Sequence, residues 1–210
     1  MIKYLIFAVL LILNSSAYAQ KFTAVKDIEQ IEKLLIENSS KINTIVSDFI
    51  QEKHLAFIDE VIISEGKFWL KDNNSIRWEY YEPFSHTIII HDNKFMTKDD
   101  RGRVSSFNVN SNPVFKEINN LIVSSARGDL ISDEKFVLIA FENESSYLLK
   151  MTPVDENVKQ VINNTELYFD KKNLSVTKVV MIENDDDYTV ISFKNRQFNV
   201  PVENSIFDIN

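Results

Sequence analysis

The chain of 210 residues has a formal net charge of −8 at pH 7, is 44% hydrophobic, and contains no cysteine and only three glycines. The negative charge opposes nucleic acid and anionic membrane surfaces, and no Lys/Arg cluster with interleaved aromatics offsets it locally. Without cysteine there is no disulfide framework, thiol nucleophile or lipid-bearing cysteine anchor, and so few glycines leave little material for a phosphate-cradling loop.

At the start, Lys3 precedes an apolar run over 4–13, and Ala17-Tyr18-Ala19 offers a small-residue cleavage site before Gln20. This is the pattern of a secretory signal peptide. The run falls short of the about 20 apolar residues that span a bilayer. Residues 1–19 are therefore expected to be removed, and residues 20–210 to form one freely diffusing, monomeric domain with a sizeable core.

Val25, Ile28, Ile31, Leu34 and Leu35 then recur at helical spacing, with Asp27 and Gln30 placed as in a capping box. They predict an amphipathic helix over 26–38. Glu29, Glu32, Lys33 and Glu37 form its polar face, so it should lie on an apolar surface.

From Thr44 the pattern changes to short runs rich in Ile, Val, Phe, Tyr and Thr. Strands are expected over 44–54, 57–71, 75–81, 86–91, 94–98, 103–108, 136–142, 146–151, 158–169, 175–183 and 188–193. Between runs lie Asp92-Asn93, Asp99-Asp100-Arg101-Gly102, Asp170-Lys171-Lys172-Asn173 and Asn184-Asp185-Asp186-Asp187. Asn and Asp tolerate left-handed backbone, so these read as tight hairpins joining sequential antiparallel neighbours. A second amphipathic helix is expected over 113–125, with Pro113 in its first turn and Val114, Ile118, Leu121 and Ile122 on one face.

Two short helices are little cover for about eleven strands. The expected fold is therefore mainly β (α+β): a strongly curved, incomplete antiparallel barrel, with amphipathic helices as a lid over an apolar hollow.

Catalytic and metal signatures are not evident. His86 and His91 should lie on opposite strand faces, so they cannot share a metal. Neither a His-Glu-x-x-His nor a Gly-x-Ser-x-Gly pattern occurs. The aspartates at 185–187 lack the spaced ligands and glycine of a calcium loop and read as a solvated hairpin tip. No cofactor and no enzymatic activity are expected. A lipid-modifying hydrolase assembled from residues distant in sequence is the alternative from another class.

An ordered set of motifs resembles one family. Asp48-Phe49-Ile50-Gln51 is followed by Gly66-Lys67-Phe68-Trp69-Leu70-Lys71. Next come Ile76-Arg77-Trp78-Glu79-Tyr80-Tyr81-Glu82-Pro83 and Ile88-Ile89-Ile90-His91-Asp92-Asn93-Lys94-Phe95. Together with the Pro113 helix and the closing 198–207 segment, this order is similar to that of the LolA family of periplasmic lipoprotein carriers. The resemblance implies a periplasmic, non-catalytic carrier that shelters lipoprotein acyl chains. It implies as partners acylated lipoproteins, an inner-membrane ATP-driven releasing complex and an outer-membrane acceptor. A lipid or glycolipid shuttle, or a lipoprotein sensor of the same fold, is the alternative. The family's Arg-Pro, which latches the lid, is replaced here by Asp72-Asn73.

Alternation along 75–81 sets Ile76, Trp78 and Tyr80 on one strand face. These, with Phe49, Phe68, Ile88 and Ile90, are the expected acyl-chain cavity. Leu34, Ile118, Leu121 and Ile122 are the expected lid contacts, and no metal ligands are expected.

Overall fold

The computed structural model describes residues 21–72, 75–111, 135–183 and 186–209. Both the expected signal peptide and the expected second helix, with Ile118, Leu121 and Ile122, lie outside them.

The strands are β1 (Thr23–Ala24), β2 (Thr44–Leu55), β3 (Ile58–Lys71), β4 (Ser75–Glu82), β5 (His86–His91), β6 (Lys94–Lys98), β7 (Val104–Asn108), β8 (Phe136–Glu142), β9 (Ser146–Pro153), β10 (Asn164–Asp170), β11 (Val176–Ile182) and β12 (Tyr188–Phe198). The helices are α1 (Ile28–Ser39) and the single-turn α2 (Glu156–Lys159). All twelve strands join one sheet in the order β1-β8-β9-β10-β11-β12-β2-β3-β4-β5-β6-β7. Every pairing is antiparallel. Among the described residues β1 and β7 end the sheet without pairing to each other, so the sheet is open.

The local chemistry explains the connections. Asp92 and Asn93 both take left-handed backbone (φ 49° and 60°), the conformation demanded by the two-residue turn between β5 and β6. In α1 the side chain of Asp27 accepts the Gln30 N–H at 3.1 Å, satisfying one donor of the first turn. Asp72 also turns left-handed (φ 51°), and its N–H donates to the Asn43 carbonyl at 2.8 Å. In this chain the position is a hairpin turn.

Two expectations need correction. The strand expected over 158–169 begins only at Asn164, because Asp155 caps a helical turn by accepting the Asn157 N–H at 2.7 Å. Val158, Val161 and Ile162 carry the helical spacing that marks it. The second correction is β1, which lacks any run of its own and forms only by pairing with Phe141 and Glu142 of β8.

The sheet buries both faces. On the inner face, residues of β2 to β5 and β8 to β12 form one cluster with Ile31 and Leu35 of α1. On the outer face Ile89, Trp69, Val46 and Met96 pack against Val202, Ile206 and Phe207 of the C-terminal segment. That segment is held by side chains of the outer face: Lys71 Nζ donates to the Val202 carbonyl at 2.8 Å, and Arg77 Nη1 to the Ile206 carbonyl at 3.1 Å.

Candidate inner-face binding site

The register builds the site. β2 and β3 pair Ile45 with Leu70, Ser47 with Phe68 and Phe49 with Gly66, while β3 and β4 pair Phe68 with Trp78 and Gly66 with Tyr80. β5 then places Ile88 opposite Trp78 and Ile90 opposite Ile76. Because paired residues share a face, the seven expected cavity residues come together on the inner face. Phe49, Phe68, Ile76, Trp78 and Ile90 are buried, and Tyr80 and Ile88 are half-buried.

The aromatics form a continuous contact set. Ring centroids are 5.1 Å apart for Phe49 and Trp78, 5.0 Å for Phe49 and Tyr80, and 4.7 Å for Phe68 and Trp78. Such tilted and edge-on arrangements suit the ring quadrupoles. Phe193 completes the group, 5.8 Å from Phe68 and 6.1 Å from Trp78. Sequence reading missed it. The alternation of Thr189, Ile191 and Phe193 marks one strand face, but only the pairing of Phe193 with Phe49 shows that this face is the inner one. Leu149, Met151, Leu167 and Val179 extend the same apolar surface across β9 to β11.

The two leucines of α1 are placed differently. Ile31 and Leu35 are buried against the sheet, whereas Leu34 is 38% exposed. At 100° per residue Leu34 sits roughly 100° around the helix from Leu35. The stripe Ile28, Ile31, Leu35 wins the sheet, and Leu34 is left at its margin.

Polar groups lie at both ends of this face: beside Ile45, Phe68 and Phe193, Arg196 Nη1 donates to the Ser175 carbonyl at 3.3 Å and the Val176 carbonyl at 2.8 Å, and the others gather at the far end. Tyr80 donates its hydroxyl proton to Gln51 Oε1 at 2.9 Å, and burial pushes its phenol above the usual range. Lys53 Nζ donates to Glu183 Oε1 at 2.8 Å and Oε2 at 3.0 Å, and Thr189 Oγ1 donates to Glu183 Oε1 at 3.2 Å. Trp78 Nε1 is buried with no hydrogen-bond acceptor among the described residues. Such a surface favours hydrocarbon, with polar partners available at its ends.

Two of the three histidines, His86 and His91, pack against aromatic rings. His91 Nδ1 lies 2.8 Å from Ser75 Oγ and its ring stacks on Phe207. The His86 ring lies beside Tyr80, so the two histidines do occupy opposite faces. Among the described residues no three His, Asp or Glu side chains are grouped to hold a metal ion.

Comparison with known proteins bears on the same architecture. The sequence profile of "Outer membrane lipoprotein carrier protein LolA" matches residues 40–210. No curated protein sequence matches significantly. Among solved structures, the complex of MucA and MucB from Pseudomonas aeruginosa is similar at 14% identity and TM-score 0.50, with 86% of this chain and 60% of that chain covered. An uncharacterized conserved protein from Thermus thermophilus is similar at 8% identity and TM-score 0.50, covering 85% and 91%. A LolA superfamily protein from Nitrosomonas europaea aligns at 10% identity and TM-score 0.44, covering 84% and 97%. At these identities the structural likeness is one of fold. The profile match over most of the chain, on an open antiparallel sheet with an apolar inner face, establishes that the chain belongs to the LolA family of outer membrane lipoprotein carrier proteins.

Proposed function

We propose that this chain binds the acyl chains of lipid-modified proteins on its inner face and carries them through the periplasm, acting by binding alone. The observation that carries the reading is the continuous apolar surface formed by Phe49, Phe68, Ile76, Trp78, Ile90 and Phe193, in one cluster with Ile31 and Leu35 of α1. Acyl transfer from water gains about 0.8 kcal/mol per methylene, so a long chain needs on the order of 10 kcal/mol of shelter. A broad apolar face can supply that without a chain-length-specific slot, and it can release what it holds. Loading by an inner-membrane ATP-driven complex and delivery to an outer-membrane acceptor complete the proposal.

The test is to isolate the mature protein from its native periplasm and identify what copurifies by mass spectrometry. Acylated lipoproteins are expected. Recovery of free phospholipid or glycolipid alone would instead establish a lipid shuttle on the same fold.

A further inference from the structure

The inner face has a direction. Along β2 its residues run Ile45, Ser47, Phe49, Gln51 and Lys53, and along β4 Ile76, Trp78 and Tyr80. At the Ile45 and Ile76 end the surface is aliphatic apart from Arg196, whose Nη1 is spent on the Ser175 and Val176 carbonyls, and it lies in one cluster with Ile31 and Leu35 of α1. Ser47 adds no polarity there, since its hydroxyl is spent on the Lys194 carbonyl at 2.8 Å. At the other end come the Tyr80–Gln51 pair and then Lys53 with Glu183. Between them sits Trp78, its indole N–H buried without an acceptor among the described residues. An orphaned buried donor is unfavourable, and native structures retain few of them.

Resting on the acyl-binding reading above, we propose that a bound acyl chain lies along this gradient in one orientation. Its ester or amide carbonyl accepts the hydrogen bond of Trp78 Nε1. Its hydrocarbon end runs toward Ile45 and Ile76, and its polar end toward Gln51 and Lys53. The ligand thus supplies the acceptor that the protein leaves out, and the site distinguishes an acyl group from plain hydrocarbon. The ring of Phe68 packs edge-on against the indole at a centroid distance of 4.7 Å.

The experiment uses methyl palmitate and octadecane, chains of equal length, delivered from cyclodextrin to the isotopically labelled mature protein. The indole N–H signal of Trp78 is followed by NMR. Trp69, on the outer face between Lys67 and Arg77, is the internal control. The expected result is a downfield shift at Trp78 with the ester and none with octadecane, and at least threefold tighter binding of the ester. In Trp78→Phe the ratio of the two affinities should fall to about one, whatever their absolute values.

A nitroxide at the methyl end of the ester should broaden the Leu35 and Ile45 amides, and one beside the ester those of Gln51 and Ile62. Equal binding of both ligands with the indole unmoved, or a reversed broadening pattern, overturns the proposed orientation and leaves the acyl-binding reading standing. Failure of both ligands to bind overturns both.

Discussion

The ring of Phe49 occupies the space in which a side chain at position 66 would begin. A Cβ on Gly66 would lie 2.7 Å from Phe49 Cζ and 2.8 Å from Cε1, and would also run into the Glu79 carbonyl oxygen. The glycine is there because the neighbouring strand's aromatic ring lies over it. This lets Phe49 reach both Trp78 and Tyr80 on the far side of β3.

Gly66→Ala should therefore cost about 2–3 kcal/mol, as overpacking in a filled core does, measured by urea denaturation. Adding Phe49→Leu should recover only part, because the Glu79 carbonyl belongs to the backbone and stays. A loss under about 0.5 kcal/mol for Gly66→Ala would refute the steric account.

Trp78→Glu should destabilise the fold by about 3 kcal/mol or more, since its carboxylate would be enclosed by Phe49, Phe68 and Phe193 without a partner. Loss of acyl binding in that variant would not isolate a contact with ligand. Ile88 is half-buried beside Trp78. Ile88→Ser should weaken acyl binding roughly tenfold, about 1.4 kcal/mol. Calorimetry of ester binding, alongside a thermal melt, checks both statements; undiminished binding would remove Ile88 from the site.

Arg77 has its side chain only 19% exposed, with Nε on Glu79 at 2.8 Å and Nη1 on the Ile206 carbonyl. Through these contacts Arg77, oriented by Glu79, holds the C-terminal segment against the outer face. Arg77→Leu should lose about 1–2 kcal/mol, as hydrogen bonds from charged groups do. Hydrogen exchange over 202–209 should quicken selectively, and uniform exchange across the sheet would contradict this role.

Burial raises the Tyr80 pKa above its ordinary value of 10.0. The folded state thus keeps a proton that the unfolded chain gives up. The resulting stability is fully present below pH 10.0 and is lost as pH rises through the higher folded-state value. Denaturation midpoints of the native chain should fall more steeply above pH 10.0 than those of Tyr80→Phe. Parallel pH profiles would show that the phenol does not carry this dependence.

Much of the fold is legible in the residues because hairpin chemistry and two-residue alternation are local. Asp92-Asn93 announces its turn, and β5, β6 and β8 begin and end where the apolar runs do. Legibility fails where a partner decides. Thr23–Ala24 is a strand only because β8 offers it an edge. The final residues of β12 continue past the bulge between Lys194 and Gln197 because β2 pairs with them as far as Ile45. Leu34 and Leu35 are chemically the same, and only the angle at which α1 meets the sheet chooses between them.

By itself, then, the sequence determined a β-rich chain of sequential hairpins and which residues of each strand share a face, because φ/ψ preference and the pleat act within a few residues. Only the tertiary structure decided which face is inner, that Phe193 joins Phe49, and that Arg77 is spent on the chain's own end. It also decided that Tyr80, Gln51, Lys53 and Glu183 gather at one end of the apolar face and Arg196 at the other, with the buried indole N–H of Trp78 between. Each of these depends on the register between strands distant in sequence, which no single stretch of the chain encodes.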